Sequence, residues 1–400
     1  MSSAVDERQS GQMEAWRQIY DADYAREEPE FSGADFAGWV STYDGKPIAA
    51  ADMREWRAAV TSLAMEGAPE RVLEIGCGTG MFTATLAGQV TEYRGTDLSP
   101  VAVDRLSRRV AQAPEVSARV TLHHQAAHDT TGLPAEHFDL VLMNSVVQYF
   151  PDGAYLLTVL RRAAGLLRPG GRIVVSDVRD LRTLRTWLAA VWTARTGGTA
   201  AEVRERADHS AARTNELLLD PAFFATLPEV LPQITFVEIR PKRGRSHNEI
   251  TRHRYDVVLH TTATSLPRSE PETVSWDGIG ARLDGLARCL RRTPGRRLRV
   301  TGVPDGRLLT EPGSGPDAGP AGPAEPEDLI ALGDRLGRPV RLALSPIPGL
   351  LDAVVGAAAD DIPPAIARRP DEPSRPPSGF CNDPVRITDE ELHQALSARE

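Results

Sequence analysis

Only three cysteines occur in 400 residues. Cys77, Cys289 and Cys381 are odd in number and far apart, so they offer neither a disulfide framework nor the paired spacing of a zinc site, and free thiols in a reducing, cytoplasmic compartment are expected. Apolar runs approaching ~20 residues are missing as well, which argues against a membrane span. The stretch Met1 to Met13 is polar and acidic without an apolar centre, so no secretory leader is read there. Positive charge is also short: 46 Lys and Arg face 55 Asp and Glu, for a net charge of -9 and a pI near 5.6. A chain with no global basic field is a poor holder of nucleic acid. What is present, at 41% hydrophobic residues, is enough for a globular chain of one large or two modest domains.

Arg71 to Gly80 organises the rest. Val72, Leu73 and Ile75 suit a strand buried on both faces, and Gly76, Gly78 and Gly80 let the backbone turn tightly and approach a ligand that a Cβ would repel. A helix is expected from about Thr79. A second strand, 92 to 96, ends at Asp97, whose carboxylate can accept hydrogen bonds from ribose hydroxyls. The dinucleotide fingerprint wants a glycine where Met81 stands, so a nicotinamide dinucleotide is disfavoured.

Downstream, strands expected at 71–75, 92–96, 119–123, 138–143 and 171–177 alternate with helices at 79–88, 99–112 and 153–167, the pattern of a Rossmann-like, doubly wound, mostly parallel α/β sheet. Ligands of such sheets lie beyond the carboxyl ends of the strands, which brings Asn144 to Phe150 to the site. Upstream, Trp16, Ile19, Tyr20 and Tyr24 form one helical stripe, either packed into the core or laid as a lid over the ligand. The aromatic loop 36–48 follows. Residues 1–60 are therefore assigned to an N-terminal lid region, 61–261 to the core with a helical insertion at about 180–232, and 262–400 to a small appended α/β unit. Within the last, Glu311 to Glu327 and Ile362 to Gly379 have the composition of linkers.

The spacing Glu74-x-Gly76-x-Gly78-x-Gly80 resembles the first motif of class I S-adenosylmethionine-dependent methyltransferases. The order of Gly38-Trp39-x-Ser41-x-Tyr43-x-Gly45-x-Pro47-Ile48, Met53-Arg-Glu-Trp56, Val72 to Gly80, Gly95-Thr-Asp97-x-Ser-Pro100, Asn144 to Pro151, Asp177-Val-Arg179 and Lys242-Arg-Gly-Arg-x-x-Asn248-Glu249 resembles the methyltransferase domains embedded in nonribosomal peptide synthetases, over about residues 12–260. Even Leu298 to Pro304 and Cys381 to Pro384 are similar to sequence flanking such domains, although no complete adenylation, condensation or carrier domain is present. The resemblance implies S-adenosylmethionine as cofactor, contacted by Tyr24, Glu74, Gly76, Cys77, Gly78, Gly80, Asp97, Leu98, Asn144 and Ser145. Where many relatives carry an acid for the adenine amino group, Ala126 and Ala127 offer only backbone. His123, His124 and His128 have no carboxylate or cysteine set to complete a metal site, and no metal is expected.

Methyl transfer from a sulfonium is an in-line displacement, so alignment and water exclusion supply most of the catalysis, with an acceptor group near an amine nucleophile. Gln148 and Tyr149 after the fourth strand, and His247, Asn248 and Glu249 in the charged connection 241–252, are the catalytic candidates. Taken alone, that connection reads equally as a solvated tip. Asp177 and Arg179 suit ion-pair architecture or substrate contact. The expected activity is N-methylation of an amino acid or amino-acid-derived intermediate, free or carrier-bound, with O- or C-methylation as alternatives. A non-catalytic S-adenosylmethionine-binding protein docking on a biosynthetic partner is the alternative of another class.

Overall fold

The computed structural model describes residues 2–25, 33, 36, 38–261, 271–309, 311, 322–356 and 375–397. Chain order gives α1 (Ser2–Tyr24), α2 (Ala50–Met65), β1 (Arg71–Ile75), α3 (Met81–Leu86), β2 (Glu92–Asp97), α4 (Pro100–Ala111), β3 (Val120–His124), β4 (Phe138–Asn144), α5 (Gly153–Leu166) and β5 (Leu167–Arg179). The insertion contributes α6 (Leu184–Thr196) and α7 (Ala200–Ala211), before β6 (Phe236–Pro241), α8 (Glu249–His253) and β7 (Arg254–His260). The seven strands form one sheet in the order β3-β2-β1-β4-β5-β7-β6. Pairs from β3 through β5 are parallel, whereas β7 runs antiparallel to both β5 and β6. The sheet is therefore mostly parallel, and its order reverses between β1 and β4.

Successive residues of the inner strands point to opposite faces, and both faces are covered. Leu73, Val141, Met143, Ile173 and Val175 pack with Leu156, Val159 and Leu160 of α5. Val72, Leu140, Leu142 and Val174 pack instead with Met53, Trp56 and Val60 of α2. Each such side chain stabilises the fold by roughly 1.5–3 kcal/mol. Helix ends follow local chemistry: Ser99 Oγ caps α4 by accepting from Ala102 N at 3.0 Å, ahead of Pro100, and Asp152 caps α5 by accepting from Tyr155 N at 2.8 Å. The glycine turn delays α3 to Met81, because Gly80 itself takes a left-handed conformation. The second insertion helix ends at Ala211, so the helical insertion expected at about 180–232 is not helical throughout. Leu219 instead bridges Asp180 and Cys381.

A second sheet follows, with β8 (Glu272–Ser275), β9 (Leu298–Pro304), β10 (Val340–Leu344) and β11 (Leu350–Val355) ordered β10-β11-β9-β8. It packs on α9 (Leu283–Arg292) and α10 (Pro326–Arg335) around Trp276, Leu286, Val300 and Leu329. Of the two stretches with linker composition, Glu311 and 322–327 are described and are structured: Glu311 is buried and Pro326 opens α10. The remainder of that stretch, and Ile362 to Gly379 apart from 375–379, lies outside the described residues. The last segment returns to the N-terminus, where α11 (Asp389–Ser397) and Ile387 pack on Ala15, Trp16 and Ile19 of α1. Among the described residues no helix is long and apolar enough to cross a membrane.

Candidate active site

A cavity of about 520 Å³ opens at the carboxyl ends of β1, β2 and β4, where the strand order reverses. That volume lies within the range of small-molecule sites, roughly 300–1,000 Å³. Its floor is the glycine turn. Gly76, Gly78 and Gly80 all have positive φ, at 81°, 49° and 86°. The reasons for glycine differ, and this corrects the expectation that all three make room for a ligand. A Cβ on Gly76 would lie 2.3 Å from Val146 Cγ2, and one on Gly80 would lie 2.2 Å from Leu106 Cδ1, so these two are required by the protein's own packing. Gly76 and Gly78 both line the cavity, but only at Gly78 would a Cβ meet no packed side chain of the core, the Tyr24 hydroxyl lying 3.0 Å from its position.

Asp97 closes the turn. Its Oδ2 accepts from Gly78 N and its Oδ1 from Ser99 N, each at 2.8 Å. Each oxygen retains a lone pair for a hydroxyl from the cavity. Burial raises the Asp97 pKa, opposed by these backbone donors. Glu74, behind the turn, accepts from the hydroxyls of Tyr93 and Thr83, and burial pushes its carboxyl up to about 8.

Over this floor lies α1. Trp16, Tyr20 and Tyr24 line the cavity, with ring centroids 4.7 Å from Trp16 to Tyr149, 5.0 Å from Tyr20 to Tyr149 and 5.6 Å from Tyr20 to Tyr24. Burial raises the hydroxyl pKa of Tyr20, Tyr24 and Tyr149, keeping all three neutral. Trp16, Tyr20 and Tyr24 of the stripe thus cover the cavity, while its Ile19 packs with Ala15 and Trp16 against Ile387 and α11.

The expected cofactor contacts Tyr24, Glu74, Gly76, Cys77, Gly78, Asp97, Leu98, Ala127, Asn144 and Ser145 all line this cavity. Gly80 and Ala126 do not. Gln125 does, and among the described residues its buried Oε1 has no hydrogen-bond partner. A side-chain carbonyl one position before the alanine pair therefore stands where only backbone was expected. His124 and His128 turn to Leu98 O at 3.0 Å and the Tyr155 hydroxyl at 2.9 Å.

Of the catalytic candidates, Gln148, Tyr149 and Glu249 share the other end of the cavity. His247 and Asn248 do not line it. The His247 ring lies 3.1 Å from Glu325 in the appended unit, and Asn248 caps α8, accepting from Ile250 N at 3.0 Å and Thr251 N at 3.2 Å. Glu249 Oε1 accepts from Thr42 N at 3.0 Å, while its Oε2 is buried without a partner among the described residues. Gln148 Oε1 and Asn144 Oδ1 are likewise buried and unpartnered. Asn144 is oriented by a relay: its Nδ2 donates to Ser145 Oγ at 3.2 Å, which donates to Asp177 Oδ2 at 2.6 Å. Ser145 and Asp177 both hold left-handed φ, 54° and 69°, a strained pair at adjacent strand ends.

Asp177 is fully buried. Burial raises its pKa, yet Arg254 and Lys242 outweigh that and hold it below the ordinary carboxylate range. Arg179 lies 2.7 Å from Glu216, in an ion pair whose Nε–H is not aimed at the carboxylate, and 5.0 Å from the Trp187 ring centroid. Both Arg179 and Arg254 line the cavity. Arg254 and Thr42 are not among the sequence candidates.

Residues 73–173 match the family model described as "Methyltransferase domain". This span is a methyltransferase domain. Over 297 residues the chain is 41% identical to the "Probable non-canonical nonribosomal peptide synthetase (NRPS) CymA" of Salinispora arenicola, covering 74% of this chain and 4% of that protein. Over 274 residues it is 40% identical to chondramide synthase cmdD of Chondromyces crocatus, covering 67% of this chain and 7% of that protein. The chain thus spans a small fraction of the relatives it matches. Among solved structures, the N-methyltransferase NodS of Bradyrhizobium japonicum in complex with S-adenosyl-l-homocysteine is 20% identical, with a TM-score of 0.38, covering 61% of this chain and 97% of that one. The chain resembles the methyltransferase domains embedded in nonribosomal peptide synthetases, and its methyltransferase domain is of the S-adenosylmethionine-dependent kind. The residues fit that cofactor. Among the described residues no side chain plugs the crevice, Asp97 keeps acceptor capacity for ribose hydroxyls, and Gln125 Oε1 and Asn144 Oδ1 have no partner and can accept from N–H donors.

Proposed function

We propose that this protein N-methylates an amino acid or amino-acid-derived intermediate, free or carrier-bound, in specialised metabolism of the nonribosomal-peptide type. The observation that carries the reading is Glu249 Oε2, a carboxyl oxygen that is buried, unpartnered among the described residues and set in the cavity wall. A buried acceptor without a donor costs about 1–3 kcal/mol, which a ligand N–H recovers. Gln148 Oε1 points the same way, since it too is a buried acceptor without a partner among the described residues. A carboxylate nucleophile would meet the oxygens of Glu249 and Gln148 at this wall; Arg254 is paired with Asp177, and the donor left over is the Nε–H of Arg179, which lies beside Glu216 without being aimed at it.

When bound, S-adenosylmethionine supplies an electrophilic methyl group on a sulfonium. Gly78 and Asp97 hold the nucleoside end, and Trp16, Tyr20 and Tyr149 present π-faces that favour a cation and exclude water. Glu249 Oε2 and Gln148 Oε1 accept from the substrate N–H, orienting the nitrogen lone pair and receiving its proton or passing it to solvent. Holding the reactants aligned supplies roughly 7–11 kcal/mol of the barrier reduction. The test is incubation with methyl-labelled S-adenosylmethionine and two panels, free amino acids and their N-acetylcysteamine thioesters, followed by mass spectrometry that locates the methyl. Label on nitrogen is expected. Label on oxygen or carbon, or cofactor binding with no transfer to either panel, overturns the reading.

A further inference from the structure

The appended unit touches the back of the site. Helix α8 places Glu249 in the cavity, and its next turn faces the other way. Arg252 Nε donates to Arg307 O at 2.8 Å, and the His253 ring lies 2.7 Å from Glu311 Oε1. That same Glu311 oxygen accepts from the Tyr43 hydroxyl at 2.6 Å. Tyr43 adjoins Thr42, whose N–H donates to Glu249 Oε1, whose hydroxyl accepts from Trp187 Nε1 at 3.2 Å and whose carbonyl accepts from Arg195 Nε at 2.7 Å.

Arg307 is a plug at this junction. It is 1% exposed, is held by Asp305 at 3.0 and 2.7 Å, and donates to Lys242 O at 2.7 Å. Around it the charged connection after β6 is ion-paired to the appended unit: Arg243 to Glu327 at 2.6 Å and Arg245 to Asp328 at 2.9 Å. The connection is therefore an interface. Its two ends, Lys242 and α8, are gripped by one body, and that body also grips the loop carrying Thr42.

From this we infer that the appended unit, residues 271–309, 311 and 322–356, is a positioning element of the active site: through Arg307 and Glu311 it locks α8 to the loop, and Thr42 then aims the Glu249 carboxylate into the cavity. The inference rests on the reading of Glu249 given above. It assigns the unit a role in turnover that stability alone does not cover, because a carboxylate misplaced by about 1 Å costs on the order of 100-fold in rate.

The test uses the full chain and the rim pair Arg243 and Glu327, neither of which lines the cavity. Arg243→Glu and Glu327→Arg should each lower kcat on the reactive thioester or amino acid by about tenfold, intermediate between no displacement and a full ångström. The charge-swapped double variant should recover most of the loss, with cofactor affinity by calorimetry unchanged throughout. Hydrogen exchange of the Thr42 amide should accelerate in the single variants and return in the double. Tyr43→Phe, which removes one hydroxyl and leaves the fold's core untouched, should show the same split of kcat from cofactor affinity. Single variants that lower the melting temperature while keeping wild-type kcat and Thr42 exchange overturn the inference. If the wild-type chain methylates no nitrogen, the proposed function fails, and the exchange measurement still decides whether the unit positions Thr42 and Glu249.

Discussion

The two ends of the cavity are built in opposite ways. The floor of the cofactor end is local: a strand, a glycine turn and an aspartate within 27 residues, from Arg71 to Asp97, stapled by Asp97 to Gly78 N and Ser99 N. At the acceptor end, Thr42 and Glu249 meet across 207 positions of sequence, and Tyr43 and Glu311 across 268. A local end gains its geometry from backbone chemistry and tolerates change elsewhere. A distributed end gains it from packing, so distant substitutions reach it.

The sharpest break in the comparison comes from disabling one end without the other. Gly78→Val puts a branched side chain at a φ of 49°, against the Tyr24 hydroxyl 3.0 Å from the Cβ position. It should weaken S-adenosylmethionine binding by about 100-fold or more, roughly 2.7 kcal/mol, with the fold retained and the melting temperature lowered only by the backbone strain of a branched residue at positive φ. Calorimetry and a thermal melt check this, and undiminished affinity would detach the turn from the cofactor. Glu249→Gln addresses the acceptor end. Turnover should fall by about 10- to 100-fold while cofactor affinity stays within about twofold, the scale of losing an oriented acceptor. A rate equal to wild type would remove Glu249 from the chemistry.

The same contrast explains what could be read in the sequence. Val72 to Gly80, Asp97 and Ser99-Pro100 encode their conformations within a few residues, so strand, turn and capped helix were expected close to where they form. Asn144 and Gln148 followed from the topological rule for strand ends. His247 and Asn248 were grouped with Glu249 by chain proximity, yet α8 turns only Glu249 inward and spends Asn248 on its own N-cap. Thr42, Arg254 and Gln125 carry no local signature. Their roles in the wall come from which partners they meet or lack, a property of the folded chain. The charged connection looked solvated because its complementary charges, Glu325, Glu327 and Asp328, lie some 80 residues later.

The smallest expected effect on turnover, and a discriminating one, concerns Glu74 beneath the glycine turn. Its carboxyl is 2% exposed, and burial raises its pKa from 4.5 to about 8. The folded state therefore holds a proton that the unfolded chain releases between those values, so unfolding is increasingly favoured as pH rises through that window. The slope is at most about 1.4 kcal/mol per pH unit, and it vanishes below the unfolded value and above the folded one. Glu74→Gln keeps the shape and can still donate to one neighbour. It should flatten the dependence of stability on pH between about 5 and 8, measured by denaturant melts. Because Glu74 only borders the cavity and its bonded oxygen is taken by Tyr93 and Thr83, cofactor affinity at pH 7 should change by less than about threefold. A collapse of affinity with an unchanged pH slope would instead make Glu74 a direct cofactor contact, and would show that even the local end depends on a buried charge.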